Sequence, residues 1–246
     1  MLPTELVGIE APDYPDRLRS IPFPPRALWV RGSLPPPAAV AIVGTRRPTR
    51  FGREVAEVAA TSAVAAGLGV VAGLAAGIDT IAHKSALAAG GRTWAVLGSG
   101  LDIPSPSANG LLAEEIVACG GGLVAEVPPG TPVSRRNLVA RDRIQSGLSL
   151  AVVICQCETS SGTMHTARFA VLQGRLLVVV RPQGADATVA ACSGNLALAD
   201  ALGCDPELLA AKGDEAELIR ARRPVADVVV DSRKDLSEIW DRLVVL

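Results

Sequence analysis

Two groups of arginines in this sequence are of a kind that holds phosphate. The first lies in Val40 to Gly52, which reads Val-Ala-Ile-Val-Gly-Thr-Arg-Arg-Pro-Thr-Arg-Phe-Gly. Arg46, Arg47 and Arg50 sit between a short apolar run and a segment whose apolar residues recur at helical spacing, with Arg53 just inside that segment. Guanidinium forks bind phosphate bidentately, and the free N–H groups of a helix N-terminus attract anions. The second group is Arg135, Arg136, Arg141 and Arg143, interrupted by Asp142 near its end. Two such groups around one crevice make a track for several phosphates and not a socket for one.

Other chemistries are poorly served. His83 and His165 each open a predicted helix beside a glycine-rich turn, but neither has a carboxylate at a spacing that suits acid–base work. Both are read as structural or ligand-contacting. Asp79 is read as a cap of the helix that follows it. Gly98-Ser99-Gly100 is the one G-x-G after a strand, and the third glycine of a dinucleotide fingerprint is replaced by Ile103. There is no Gly-Lys-Ser/Thr of a P-loop and no G-x-S-x-G elbow. Cys155 and Cys157 form a C-x-C within an apolar run, on one face of a strand, with no second pair at ligand spacing. The five cysteines are read as buried and reduced. No catalytic residue, no metal and no cofactor are expected.

The elements that position the arginines follow from periodicity. Strand patterns occur at Val40–Val43, Leu68–Ala72, Thr93–Leu97, Leu123–Glu126, Leu150–Cys155 and Leu176–Val180. Helical patterns lie between them at Phe51–Ala66, Ile78–Ala89, Ser107–Cys119, Asn137–Ser146 and Thr163–Gln173. This alternation predicts an α/β fold with a Rossmann-like, doubly wound, mostly parallel sheet. Ligands bind such sheets at the carboxyl ends of the strands. Those ends carry Gly44-Thr45-Arg46-Arg47, the loop from Gly73 to Gly77, Gly98, and Ser161-Gly162-Thr163, all small or polar residues that let a ligand approach closely.

Before this core, residues 1–37 are rich in proline, which forbids a long helix or a central strand. They are read as an arm packed on the core, with Ala27–Val30 as an edge strand and Pro35–Pro37 as connector. Residues 38–184 form the core. In residues 185–246, helices are expected at Asn195–Leu202, Pro206–Lys212 and Glu215–Arg220, then a strand at Val228–Val230 and a helix at Asp235–Leu243, completing the sheet edge. No basic recognition helix of a duplex reader is visible. The chain carries 17 Lys and Arg against 13 Asp and Glu up to Pro182, and 7 against 12 beyond it. The core is thus mildly basic and the tail acidic. No signal peptide is apparent, and the apolar runs are strand-length, so the expected setting is cytoplasmic with no membrane contact.

Several motifs in one order carry a resemblance. They are Tyr14-Pro15 with Leu18, Pro24-Pro25 and Gly32; Val40–Gly52; Gly73–Asp79 with Ala82-His83; Ala95–Asp102; Glu126–Pro132; Arg141-Asp142-Arg143-Ile144; and Ser161-Gly162-Thr163. Together they resemble the DNA-processing protein A family, also called DprA or Smf. The resemblance implies a Rossmann-like fold that binds single-stranded DNA in a basic pocket, as a homodimer that hands DNA to the RecA recombinase during natural transformation. It implies no catalysis. It also implies phosphate contacts from Gly44, Thr45, Arg46, Arg47, Arg141, Arg143 and Ser161–Thr163, to which Arg50, Gly73, Gly77, Gly98 and Asn137 are added as candidates. The sequence departs from the family in having Ala76 for Arg, Asp142 for Asn, and Asn137-Leu138-Val139 where Asn-Phe-Pro is usual. The winged-helix domain common at the family's C-terminus has no counterpart among the expected elements. Asp142 is expected to weaken phosphate binding. The alternative is a small-nucleotide pocket on the same fold, either a sensor or a hydrolase of a nucleotide N-glycosidic bond.

Overall fold

The computed structural model describes residues 3–200, 207–209, 211–221, 225–232 and 235–244. Nine strands form one sheet in the order β1-β2-β6-β5-β4-β3-β7-β8-β9. These are β1 (Thr4–Gly8), β2 (Ala27–Gly32), β3 (Ala39–Gly44), β4 (Gly69–Ala72), β5 (Thr93–Leu97), β6 (Gly122–Ala125), β7 (Ala151–Gln156), β8 (Leu176–Val180) and β9 (Val228–Val230). From β6 through to β9 every pairing is parallel, while β1–β2 and β2–β6 are antiparallel. The parallel strands are apolar runs because helices cover both faces. Val40, Ala41, Ile42, Val152, Val153 and Ile154 are fully buried.

The helices are α1 (Asp16–Arg19), α2 (Arg50–Ala65), α3 (Ile78–Ala88), α4 (Gly110–Ala118), α5 (Arg135–Gly147), α6 (Thr163–Leu172), α7 (Ser193–Ala199), α8 (Asp214–Ala221) and α9 (Leu236–Val244). The expected 107–119 helix is split, a 3-10 turn at Ser107–Asn109 leading into α4. The expected helix at Pro206–Lys212 falls partly outside the described residues, and of its described part 207–209 is a turn and 211–212 is not helical. No helix among the described residues is long and apolar enough to cross a membrane.

Chain order explains where a ligand can enter. From β3 the chain runs outward through β4, β5 and β6, then returns to lay β7 against the other side of β3. The β3–β7 boundary is therefore the switch point, where the loops leaving adjacent strands diverge and open a crevice.

Two expectations are corrected. Ala27–Val30 is not at the edge, because β1 pairs outside it, with Leu6 opposite Trp29, and β6 pairs inside it, with Val30 opposite Val124. The strand β1 escaped notice because its burial rises only toward its end. Cys155 and Cys157 do not share a face. The β3–β7 register shifts at Val43/Gly44, so Cys155 packs with the α2 side of the core and Cys157 with the α6 side. The four cysteines among the described residues are free, and Cys155, Cys157 and Cys192 are buried as expected while Cys119 is exposed, just past the end of α4.

The proline-rich segment contributes to the core directly. Tyr14, Leu18, Ile21 and Leu28 pack in one cluster with Trp94, Val124 and Ile144. The Tyr14 hydroxyl donates to the Pro25 carbonyl at 2.7 Å, and burial pushes its pKa up to about 12. A Cβ on Gly147 would lie 2.6 Å from a Leu18 methyl, so α1 seats against the end of α5 with no space left over. Leu18→Ala should therefore cost about 2–5 kcal/mol in urea unfolding while leaving the far-UV circular dichroism unchanged. A loss well below that would mean the segment is only laid on the surface.

Candidate nucleic-acid interface

The loop carrying Arg46 and Arg47 is fixed from three sides. At the switch point, Thr45 N–H donates to the Gln156 carbonyl at 2.7 Å, and Ile78 N–H donates to the Thr45 carbonyl at 3.1 Å. The fully buried Gln156 side chain completes the hold. Its Oε1 accepts from Thr49 N–H at 2.9 Å, and its Nε2 donates to Thr49 Oγ1 at 3.0 Å and to Cys192 Sγ at 3.2 Å. Thr45 Oγ1 accepts from Arg47 N–H at 3.2 Å. The loop is thus ordered by backbone and by one buried amide, leaving both arginine side chains exposed. Among the described residues neither makes an ion pair.

Gly44, Thr45, Arg46, Arg47, Arg141 and the Ser161–Thr163 turn line one crevice of about 460 Å³. Ser161 to Thr163 lead into α6, whose positive dipole end borders the same space, although Met164 and His165 N–H already donate to the Ser161 and Gly162 carbonyls at 3.2 and 3.0 Å. Two adjoining clefts extend the crevice. One, of about 260 Å³, is lined by Gly73, Gly98, Arg46 and Arg141. The other, of about 450 Å³, is lined by Gly77, Arg46, Arg47 and Arg53. Arg46 borders all three.

The remaining candidates fall elsewhere. Arg50 points to solvent and pairs with Glu54 at 2.7 Å. Arg143 forks onto Glu126, at 2.6 and 2.8 Å, and also donates to the carbonyls of Phe23 and Ala140. Being two residues from Arg141 on a helix places it on another face of α5. Asn137 lies in the first turn of α5, its N–H donating to the Ser134 cap at 3.1 Å, and it borders none of the three clefts.

Gly73, Gly77 and Gly98, which border the adjoining clefts, are also packing positions. A Cβ on Gly73 would lie 1.9 Å from Arg141 Nη1, and one on Gly98 would lie 3.0 Å from a Leu138 methyl. Gly77, at φ +85°, lies under the arginine loop, 2.4 Å from the Thr45 carbonyl oxygen measured from its would-be Cβ. Small residues there let protein approach protein, and the positive charge of the clefts comes from side chains and a helix end. Periodicity gave no sign of two fasteners. Gln156 falls just beyond the expected strand Leu150–Cys155, and Asn109, whose Nδ2 donates to the Leu74 carbonyl at 2.7 Å and to Thr80 at 2.8 Å, falls in the first turn of the expected helix Ser107–Cys119. A polar residue ending a buried run is the one signal that could have flagged Gln156.

Below the crevice lies a buried charge cluster. Arg141 donates to the Val96 carbonyl at 3.0 Å, with Asp79 at 3.8 Å and Asp142 at 3.1 Å. The Arg141–Asp142 approach is close but misaligned, since Arg141 Nε has no hydrogen-bond partner, so the contact is Coulombic. Asp79 does not cap α3. Its carboxylate accepts from Leu74 and Ala75 N–H groups, holding the preceding turn. Burial raises the pKa of Asp79 despite Arg141. It also raises Asp142 to about 7, against the opposing pull of Arg141 and with a further push from Asp79. His83 is fully buried against Thr93 at 2.7 Å, and burial lowers its pKa to about 3. It is a neutral core residue. His165 borders the crevice, and burial lowers its pKa as well.

The model of the DNA recombination-mediator protein A family matches residues 5–203. The chain belongs to that family. It is 43% identical to protein Smf of Synechocystis over 165 residues, which cover 65% of this chain and 41% of the relative. It is 36% identical to the DNA processing protein DprA of Bacillus subtilis over 177 residues, covering 71% and 59%. The chain thus spans about half the length of these relatives. The solved structure of DNA processing protein A from Streptococcus pneumoniae superposes with a TM-score of 0.69 at 32% identity, covering 77% of this chain and 67% of that one. The Helicobacter pylori protein superposes with a TM-score of 0.71 over 98% of this chain and 97% of its own, at 22% identity, which shows a shared fold. The Rossmann-like expectation is borne out.

The raised pKa of Asp142 has a definite sign. A carboxyl that titrates higher folded than unfolded favours the folded state at low pH, and that advantage is lost as pH rises from the usual carboxylate range through about 7. Asp142→Asn removes the penalty of a buried anion. Its melting temperature should exceed wild type by roughly 3–8 °C at pH 8.5, with the gap closing toward pH 5. A gap that does not change with pH would show that Asp142 is not the titrating group.

Proposed function

We propose that this crevice binds single-stranded DNA, with Arg46 as the central phosphate contact and Arg47, Arg141, Gly44, Thr45 and the Ser161–Thr163 turn around it. The carrying observation is that Arg46, exposed and without an ion pair among the described residues, borders three adjoining clefts at the sheet's switch point. One anion would need one of them, whereas a chain of phosphates can run through all three. Arg53 and Arg135, each exposed and each bordering one of these clefts, extend the positive surface. The Helicobacter pylori neighbour is described by its single-stranded DNA binding mode, which agrees with this reading.

The crevice is assigned binding and no bond-breaking step. His83 is buried and neutral, and Arg141 is committed to the carboxylates below it. On this reading the protein works in the cytoplasm in DNA uptake and recombination. On the same reading its partner is the RecA recombinase and its working form a homodimer.

A salt titration of binding to a labelled single-stranded oligonucleotide, with duplex and mononucleotide competitors, tests the proposal. Arg46→Ala should weaken binding by about tenfold or more and flatten the plot of log affinity against log salt by roughly 0.7. Arg50→Ala should leave both unchanged. Arg143→Ala should lower stability by stranding Glu126, with the salt slope kept. Wild-type affinity in Arg46→Ala would remove the track, and ready displacement by a mononucleotide would move the assignment to a small-nucleotide pocket.

A further inference from the structure

A second cleft, of about 550 Å³, opens at the opposite end of the parallel strands. Its walls are Pro12, Pro15 and Pro35–Pro37, its floor includes Leu148, and two arginines, Arg17 and Arg175, face into it. Arg175 immediately precedes β8 and Leu148 precedes β7, which fixes the cleft at the amino ends of those strands.

Arg175 is only 9% exposed. Its Nη2 donates to the Arg17 carbonyl at 2.8 Å and to the Gly147 carbonyl at 3.3 Å. Its Nε is buried and has no partner, and the same holds for Arg17 Nε. Among the described residues no carboxylate lies within ion-pair distance of either guanidinium. Buried charges are normally paired, since desolvation leaves them costly alone. Here burial together with the charge of Arg17 lowers the pKa of Arg175 to about 10. A purely structural staple between α1, α5 and β8 accounts for the two Nη2 bonds. It leaves two adjacent cations and two Nε donors with no acceptor.

We propose that this cleft is a second binding site, which takes a small oxyanion, carboxylate or phosphate, on the forks of Arg17 and Arg175. A planar fork matches either group, and the proline walls offer a rigid apolar surface to a short hydrocarbon body. The rim selects against a polyanion. Asp13 and Asp16 both border the cleft and are exposed, and Asp16 is already paired with Arg19 at 3.0 Å. Their charges repel a nucleic-acid strand, so the site is distinct from the crevice in ligand as well as in place.

The test follows the Nε–H resonances of the arginines by NMR while inorganic phosphate or butyrate is added. It is run in the Arg46→Ala/Arg47→Ala background, which silences the crevice. The expected result is a saturable shift of the Arg17 and Arg175 resonances with at least one probe. Phosphate alone would identify a phosphoryl ligand, and butyrate alone a carboxylate. Arg17→Gln keeps the main-chain acceptor of Arg175 and should weaken the saturable binding about tenfold, while the same change in the otherwise wild-type protein leaves single-strand affinity unaltered. Non-saturating shifts with both probes, or binding unaffected by Arg17→Gln, would overturn the proposal.

Discussion

A buried amide at the end of β7 holds the crevice together. Gln156 has no solvent exposure, so leaving its amide unpaired would cost the full desolvation of a polar group. The amide is paired instead with the N–H and the hydroxyl of Thr49 and with Cys192. Because β3 and β7 are neighbours only through the reversal of strand order, this bond links two segments more than a hundred residues apart in sequence. The small residues around it then follow from packing. A Cβ on Gly52 would lie 2.2 Å from Gln156 Oε1, and one on Gly44 would meet Ile78 and the Gln156 carbonyl. Interiors are close-packed, so such positions admit no side chain without moving the loop. The arginine loop is rigid because what lies beneath it is full.

That rigidity sorts the arginines by what they can do. An exposed guanidinium without a carboxylate meets a phosphate by shedding water and counterions, a process favourable at low salt. One already forked onto a carboxylate must first break that pair. Arg46 and Arg47 belong to the first kind, Arg143 to the second. Arg141 is intermediate. It borders the crevice, but two carboxylates share it from below, so its field at the surface is reduced whenever both are ionised. The charge that a ligand meets is therefore set by Arg46 and Arg47 and adjusted by the protonation of Asp142.

The parallel sheet and the position of the crevice were legible in the sequence, for identifiable reasons. Fully buried strands such as Ala151–Gln156 leave uninterrupted apolar runs, and the helices between them keep a 3.6-residue stripe. Arg46 and Arg47 were legible because they follow such a run at once. What was hidden depends on long-range geometry. Arg143 differs from Arg141 by two positions in sequence, and only the placement of Glu126 at the end of β6 decides that it is paired. Gly73, Gly77 and Gly98 look like a ligand's clearance when the loops are read singly, but the space they leave is taken by Arg141, the arginine loop and Leu138. The strand β1 has too little burial to leave a pattern, and the register shift that separates Cys155 from Cys157 has no local signature.

The two ends of the parallel strands treat positive charge in opposite ways, which on the two readings proposed above separates their ligands. At the carboxyl ends the cations stand free in water on a loop fixed from beneath. Their low desolvation cost and their spread over three adjoining clefts suit a flexible polymer that supplies one charge per unit. At the amino ends Arg175 is withdrawn from water and pressed toward a like charge, between proline walls that cannot adjust. Such a site gains most from a single compact anion, which neutralises two guanidiniums at once and need carry no further charge past Asp13 and Asp16. Five arginines border the carboxyl-end clefts and two the amino-end cleft, so on the two readings proposed above charge count and burial act in the same direction: many exposed cations for a polymer, two withdrawn ones for a compact anion.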